Sequence, residues 1–525
     1  MQSRAKQDAR KKDFKKGITA EDSRRKREET SNEIRKSKRE ESLQKRRNIG
    51  ATDHVETAQS IHTEWTGNLS EIPQYVEAIN SNDPVAQLEA TTQIRKLLSI
   101  EKNPPITPVV QSGVLPRLIS FLGNNANIKL QFEAAWAITN IASGSSEHTL
   151  LVVNCGAVPI FINLLSAVDE ELREQCVWAL GNIAGDSPKC RDYCLHAGML
   201  IPLLKILSSG SARLSMMRNA TWALSNLCRG KPAPKFAHVA PALSVLAKLI
   251  HSADQEVVVD ALWALSYLSD GPDDQIQAVL NAGVATRVVE LLQNTAVSVQ
   301  TPALRTVGNF VTGNDEQTQA IINLRTIPLL YQLLQNPRKS IRKEAAWAIS
   351  NITAGNKNQT QHVINEGVIP LLVGHLSHGD FDIRKEACWA ISNALSWRDL
   401  QQVNYIVNCN AVKPLCDMLS QKDAKIVSVA LDAVEHILYV GEKFSKTPNS
   451  NLFSSIVEEV EGIDKIETLQ NHENESIYKK AVDILEKYFG AEEESENATP
   501  NVQPMQSHAF TFGAPISTPT GGFAF

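Results

Sequence analysis

The 525-residue chain is predicted to be an all-α solenoid of repeated helical units, on three observations. A turn of the form Gly-apolar-apolar-Pro stands at 113–116, 156–159 and 367–370, with looser copies at 198–202, around Pro241, at Gly283, at 326–328 and at 411–414. Where neighbours compare directly, the prolines Pro116, Pro159, Pro202, Pro241, Pro328, Pro370 and Pro414 fall 43, 43, 39, 42 and 44 residues apart. No segment carries the period-two alternation of a strand.

Each turn opens a helix, with glycine just before the start and proline in the first turn, where a missing N–H does no harm. An apolar run follows, then a short polar break. A second amphipathic run then ends in Trp-Ala-Ile/Leu-x-Asn. A period of about 42 residues with two or three helices per unit is the signature of an armadillo/HEAT-type array, placed here at 70–490. Residues 1–55 are dense in Lys, Arg and Glu and too poor in apolar side chains to build a core. They are expected to be coil when free and helix on a partner, with Arg24/Glu28, Arg25/Glu29 and Lys36/Glu40 at i,i+4 spacing. Residues 56–69 read as a linker. From 491 to 525 the chain turns acidic, then rich in Ser, Thr, Pro, Gly and Phe, and is expected to be a disordered tail.

Composition narrows the function. With 42% hydrophobic and 21% charged residues, this is the make-up of a folded protein with ample core. No run of eighteen uncharged apolar residues suggests a membrane span, and the polar, basic beginning does not resemble a secretion signal. The eight cysteines are scattered and read as reduced core residues. The net charge of −5 conceals an asymmetry: residues 1–47 carry 18 Lys and Arg against 9 Asp and Glu, leaving 35 against 49 in the rest. A basic arm on an acidic body can bind nucleic acid, bind an acidic partner or fold back on itself.

The recurrent slot reads Trp136/Asn140, Trp178/Asn182, Trp222/Asn226, Trp263/Tyr267, Arg305/Asn309, Trp347/Asn351 and Trp389/Asn393. Six of the eight tryptophans occupy it, so the slot has a purpose. Residues four apart share a helix face, so stacked units line one surface with indoles beside carboxamides. Two readings stand open: a ladder that packs the units together, or a binding surface. Asparagine favours binding, because a carboxamide offers a donor and an acceptor, which is what an extended peptide backbone requires. Indoles flanked by Glu133, Glu174, Asp186, Asp260, Asp315, Glu344 and Glu386 suit Lys and Arg side chains through cation–π and ionic attraction. Tyr267 and Arg305 interrupt the ladder. A guanidinium repels cations, so two stretches are expected, Trp136 to Trp222 and Trp347 to Trp389, able to take two basic clusters joined by a spacer.

These slots and their exceptions resemble the importin-α family of nuclear import adaptors over nearly the whole chain, which implies a right-handed superhelical solenoid of about ten armadillo repeats. Lys45-Arg46-Arg47-Asn48-Ile49, Arg24-Arg25-Lys26-Arg27 and Ile34-Arg35-Lys36 resemble its importin-β-binding segment. The resemblance implies a major site for nuclear localisation signals at Trp136, Asn140, Gly144, Thr149, Gln175, Trp178, Asn182, Asp186, Trp222, Asn226 and Asp260. Within it, a lysine is held by Asp186, Thr149 and the Gly144 carbonyl, and Gln175 touches the peptide backbone. It implies a minor site at Arg305, Asn309, Trp347, Asn351, Glu386, Trp389 and Asn393. It further implies cargo proteins with basic signals, importin-β on residues 1–55, an export receptor on roughly 400–495, and shuttling between cytoplasm and nucleus. Lys45, Arg46 and Arg47 are expected to occupy the major site until importin-β removes the arm.

Three other readings are weaker. An adhesion or signalling scaffold similar to β-catenin shares the fold, but the carboxylates beside this ladder disfavour acidic ligands. Nucleic-acid binding is disfavoured by the glutamates of the arm and its lack of interleaved aromatics. Enzyme chemistry is not expected, nor any cofactor or metal: Cys190, Cys194 and His196 lack a second pair at zinc spacing, and no phosphate-binding or nucleophile motif occurs.

Overall fold

The computed structural model describes residues 46, 69–100, 102–447 and 450–490, and all statements of structure concern these. The basic arm apart from Arg46, the linker as far as residue 68 and the tail lie outside them.

The repeat unit has three helices. In one copy these are Ser146–Asn154, Ala157–Leu164 and Glu170–Asp186. The first two meet at a bend of 78°. Gly156 makes the bend, with φ of 81° in the left-handed region where a Cβ would be strained. Where the sequence lacks this glycine, Arg325 (φ 56°) and Asn410 (φ 63°) hold the same kind of turn, which accounts for the looser copies. After Leu164 comes a polar break, and Asp169 caps the long helix by accepting from the Leu172 N–H at 2.8 Å. Leu172, Cys176, Leu180 and Ile183 recur at helical spacing along its buried stripe.

The long helices stack into one continuous file. In chain order they are α1 (Pro84–Leu98), α2 (Ile128–Ala142), α3 (Glu170–Asp186), α4 (Leu214–Cys228) and α5 (Gln255–Leu268), then α6 (Val297–Phe310), α7 (Lys339–Thr353), α8 (Phe381–Leu395), α9 (Ala424–Lys443) and α10 (Glu475–Phe489). Each packs against the next, so the core is a spine running the length of the array. The described residues form helices and no strand, the armadillo arrangement expected from the period.

Between α4 and α5 the unit is irregular. The fully buried Arg191 holds the connecting loop by donating to the carbonyls of Arg229 (2.7 Å) and Pro232 (2.8 Å). No single described helix is long and apolar enough to cross a membrane.

Candidate peptide groove

The ladder asparagines tie the repeats together, and all are buried except Asn393, which is half-buried. The Nδ2 of Asn182 donates to the Thr139 carbonyl (3.2 Å), Asn226 to Gly181 (3.0 Å), Asn309 to Ser266 (2.8 Å), Asn351 to Gly308 (3.4 Å) and Asn393 to Ser350 (3.0 Å). In every case the acceptor is the residue just before the ladder position of the preceding repeat. That carbonyl lies near the C-terminal end of its helix, where the amide supplies it with a partner from the next repeat. At the start of the file Asn140 donates to the Ser99 hydroxyl instead, at 3.1 Å. The packing reading of the ladder is therefore correct.

The same side chain that ties two repeats at Asn182 also holds main chain from the arm. At Asn182, Oδ1 accepts from the Arg46 backbone N–H at 2.7 Å, while Nδ2 donates to the Arg46 carbonyl at 2.8 Å as well as to Thr139. The indole N–H of Trp178 donates to the same Arg46 carbonyl at 2.7 Å. The guanidinium of Arg46 then lies 4.7 Å from the ring centroid of Trp222 and 3.3 Å from the Asp260 carboxylate. Asparagine and indole N–H grip the main chain, and the next indole with a carboxylate grips the cation. Lys45 and Arg47 lie outside the described residues.

Other expected residues fall around this centre. Thr149 is buried at the start of its helix and donates to the carbonyls of Ala142 (3.0 Å) and Ser145 (3.2 Å). Asp186, at the end of α3, accepts from the Ser146 hydroxyl at 2.8 Å, which brings it beside the loop holding Gly144. Gln175 is buried, its amide donating to Thr139 Oγ1 at 2.7 Å. Asn219, missed in the sequence, donates to Glu174 at 3.0 Å. Burial pushes the Glu174 carboxyl above its ordinary range, against the opposing hydrogen bonds from Ser215 and Asn219.

Trp136, Trp178, Trp263 and Trp389 are half-buried, whereas Trp222 and Trp347 are buried. The difference is set by glycines that the sequence reading passed over. A Cβ on Gly181 would meet Trp222 at 2.3 Å, and one on Gly308 would meet Trp347 at 2.0 Å. The indole of the next repeat sinks where the preceding repeat offers no side chain.

Two expectations about charge need correction. Arg305 is not an open repulsive cation: it is buried and pairs with Glu344 at 3.0 Å. Burial works against its charge, but the Glu344 carboxylate outweighs that and raises the guanidinium pKa. Glu133 and Glu344 are not open acidic lining either. Each is held by an arginine of the preceding repeat, Glu133 by Arg95 at 2.7 Å. Arg95 was also missed, although Arg95 and Ser99 repeat the four-residue spacing of Trp and Asn. Cys190 and Cys194 are buried, Cys190 lies 3.8 Å from Asp186, and no cluster of metal-binding side chains occurs among the described residues.

The chain matches the family model for the armadillo/beta-catenin-like repeat in eight segments between residues 102 and 439, and that for an atypical Arm repeat over 451–503. It also matches the model of the importin beta binding domain over 10–92. An engineered protein solved by the Northeast Structural Genomics Consortium superposes with a TM-score of 0.71 at 27% identity, covering 79% of this chain and 98% of that one. Importin subunit alpha-B of Dictyostelium discoideum is 53% identical over 94% of this chain and 95% of its own. Importin subunit alpha-2 of Arabidopsis thaliana is 54% identical over 99% of each chain. With a two-handed grip on an extended basic residue and these full-length relatives, the chain belongs to the importin subunit alpha family.

Proposed function

We infer that the protein is a nuclear import adaptor that binds basic localisation signals along the ladder and links them to importin-β through residues 1–55. The observation that carries this reading is Arg46, an arginine of the arm seated between Trp178 and Trp222 with its main chain on Asn182 and its side chain on Asp260. A groove that takes its own arginine this way suits a cargo lysine or arginine equally.

The flanking Lys45 is assigned to Asp186, Thr149 and the Gly144 carbonyl, and the rest of the major site to Trp136, Asn140, Gln175 and Asn226. The minor site runs from Asn309 through Trp347, Asn351, Glu386, Trp389 and Asn393. Arg305, paired with Glu344, forms the neutral boundary between the two sites. Because the arm is tethered to the array, its effective concentration is roughly millimolar, so even a weak segment competes with cargo. Importin-β frees the groove by taking the arm as a helix. Residues 1–55 are thus the partner-binding and autoinhibitory arm, 56–69 the linker, 70–490 the array and 491–525 a tail without an assigned role. An export receptor is assigned to the last repeats, and the protein to both cytoplasm and nucleus.

The test is titration of a lysine-rich signal peptide into the full chain and into the K45A/R46A/R47A chain. The triple variant should bind about tenfold or more tightly, and Asp186→Lys in that background should abolish binding at the major site. Equal affinity of the first two proteins would refute autoinhibition by this cluster, and no binding by either would refute the adaptor reading.

A further inference from the structure

Arg95 on α1 stands in the position that tryptophan holds in later repeats, four residues before Ser99, which receives the amide of Asn140. Its guanidinium lies 4.3 Å from the ring centroid of Trp136. It also makes two hydrogen bonds to Glu133, Nε to Oε2 at 2.7 Å and Nη2 to Oε1 at 3.3 Å. Like Arg46 on Trp222 with Asp260, this is a cation over an indole beside a carboxylate. Asp260 comes from the repeat after Trp222, however, and Glu133 from the repeat of Trp136 itself. The cations also differ in origin. Arg46 reaches the Asp260 carboxylate of its slot across 214 residues of chain, whereas Arg95 belongs to the neighbouring helix of the array.

We propose that Arg95 is a built-in occupant of the cation slot on Trp136. It closes the groove at its first repeat and so limits how many basic residues of an extended peptide are read. Fixed on α1, it forfeits little freedom by staying bound, whereas an incoming peptide side chain must be immobilised. Its fork matches the Glu133 carboxylate in a two-point pair, and both side chains are largely shielded from water, at 16% and 15% exposure. A peptide cation arriving there meets a neutralised carboxylate and a covered indole. The same logic repeats at the ladder's internal break, where Arg305 takes the tryptophan position and neutralises Glu344, three residues before Trp347. Both arginines therefore stand one repeat ahead of a binding stretch and mark where it begins.

This inference rests on the adaptor reading. Its test uses the full chain, as wild type, Arg95→Gln and Arg95→Gln/Glu133→Gln. The probes are fluorescent peptides with a four-residue Lys/Arg core in alanine flanks, in which one further arginine is moved stepwise along either flank. At one flank position the Arg95→Gln chain should bind about five- to tenfold more tightly than wild type, as expected for one regained cation–π and ionic contact. Adding Glu133→Gln should remove most of that gain. A purely structural role for Arg95 would shift all peptides together, so profiles that differ only by a constant factor overturn the proposal. If the glutamine variant melts early, Arg95→Met keeps the stem against Trp136 without the charge and is read in the same way. Failure of the core peptide to bind any of these chains would instead refute the adaptor reading on which the proposal stands.

Discussion

Trp222 rests directly on Gly181: a Cβ built on the glycine would come within 2.3 Å of the indole ring. The carbonyl of the same glycine accepts the Asn226 amide at 3.0 Å, so one residue of α3 seats both ladder side chains of α4. Gly308 does the same for Trp347 and Asn351. Thr139 and Ser350 take that position beneath Trp178 and Trp389, which stay half-buried. The residue before each asparagine thus sets how deep the next indole sits.

Gly181→Ala is accordingly expected to destabilise the array and weaken peptide binding, although alanine is the better helix former by about 1 kcal/mol. The overlap with a ring flanked by packed helices should outweigh that gain, giving a net loss of about 1–2 kcal/mol. Denaturant unfolding and tryptophan fluorescence measure both effects. A stabilised Gly181→Ala with unchanged fluorescence would show that the indole has room to move.

The double duty of asparagine separates two variants that look alike in sequence. Asn309→Ala removes a repeat-to-repeat tie to Ser266 and Ser269, and should lower stability by about 1–2 kcal/mol while sparing a peptide confined to the major site. Asn182→Ala removes a comparable tie to Thr139 together with both main-chain contacts to Arg46. It should destabilise to a similar extent and also abolish the difference in peptide affinity between the wild-type arm and K45A/R46A/R47A. Parallel unfolding and peptide titration on both variants decide this. Equal effects of the two on major-site binding would remove the special role of Asn182.

The period and the ladder were legible because they repeat: chance does not place six tryptophans at one slot, and the i,i+4 rule puts each beside its asparagine. The three-helix unit was less legible, since helices such as Ser146–Asn154 are only 9 residues long and expose Leu150 and Leu151, which blurs their apolar stripe. The state of the carboxylates was hidden for a different reason. Arg95 and Glu133 lie 38 residues apart, and Arg305 and Glu344 lie 39 apart, so each pair spans a repeat boundary. Composition counts such glutamates as open negative charge; only the stacking of one helix on the next reveals that they are taken.

The Arg305–Glu344 pair predicts a sharp contrast between single and double substitution. Arg305→Leu leaves Glu344 buried without its counter-ion and should cost about 3–5 kcal/mol. Arg305→Leu/Glu344→Leu removes both charges together and should recover most of that loss. Unfolding of wild type, both single variants and the double variant completes the cycle. Additive losses would mean that the two side chains do not depend on one another.

Asp254 gives the array a measurable response to acid. Its carboxyl receives Arg218 at 2.7–3.2 Å and caps α5 by accepting from the Val257 N–H at 3.1 Å. The Arg218 hydrogen bonds hold its pKa below the ordinary carboxylate range, against the opposing effect of partial burial. A group whose folded pKa is depressed contributes its full stability above its unfolded value and loses it as pH falls through the folded value. Asp254→Ala should therefore be less stable than wild type by about 1–2 kcal/mol at neutral pH, from the lost cap and ion pair. That gap should narrow as pH drops below about 4, where the unfolded carboxyl takes up its proton first, until at lower pH the folded one follows and only the weaker neutral cap remains. Denaturant unfolding of both proteins from pH 7 to pH 3 measures the gap directly. A gap that stays constant or widens on acidification would mean that the charge of Asp254 adds nothing to the hold on α5.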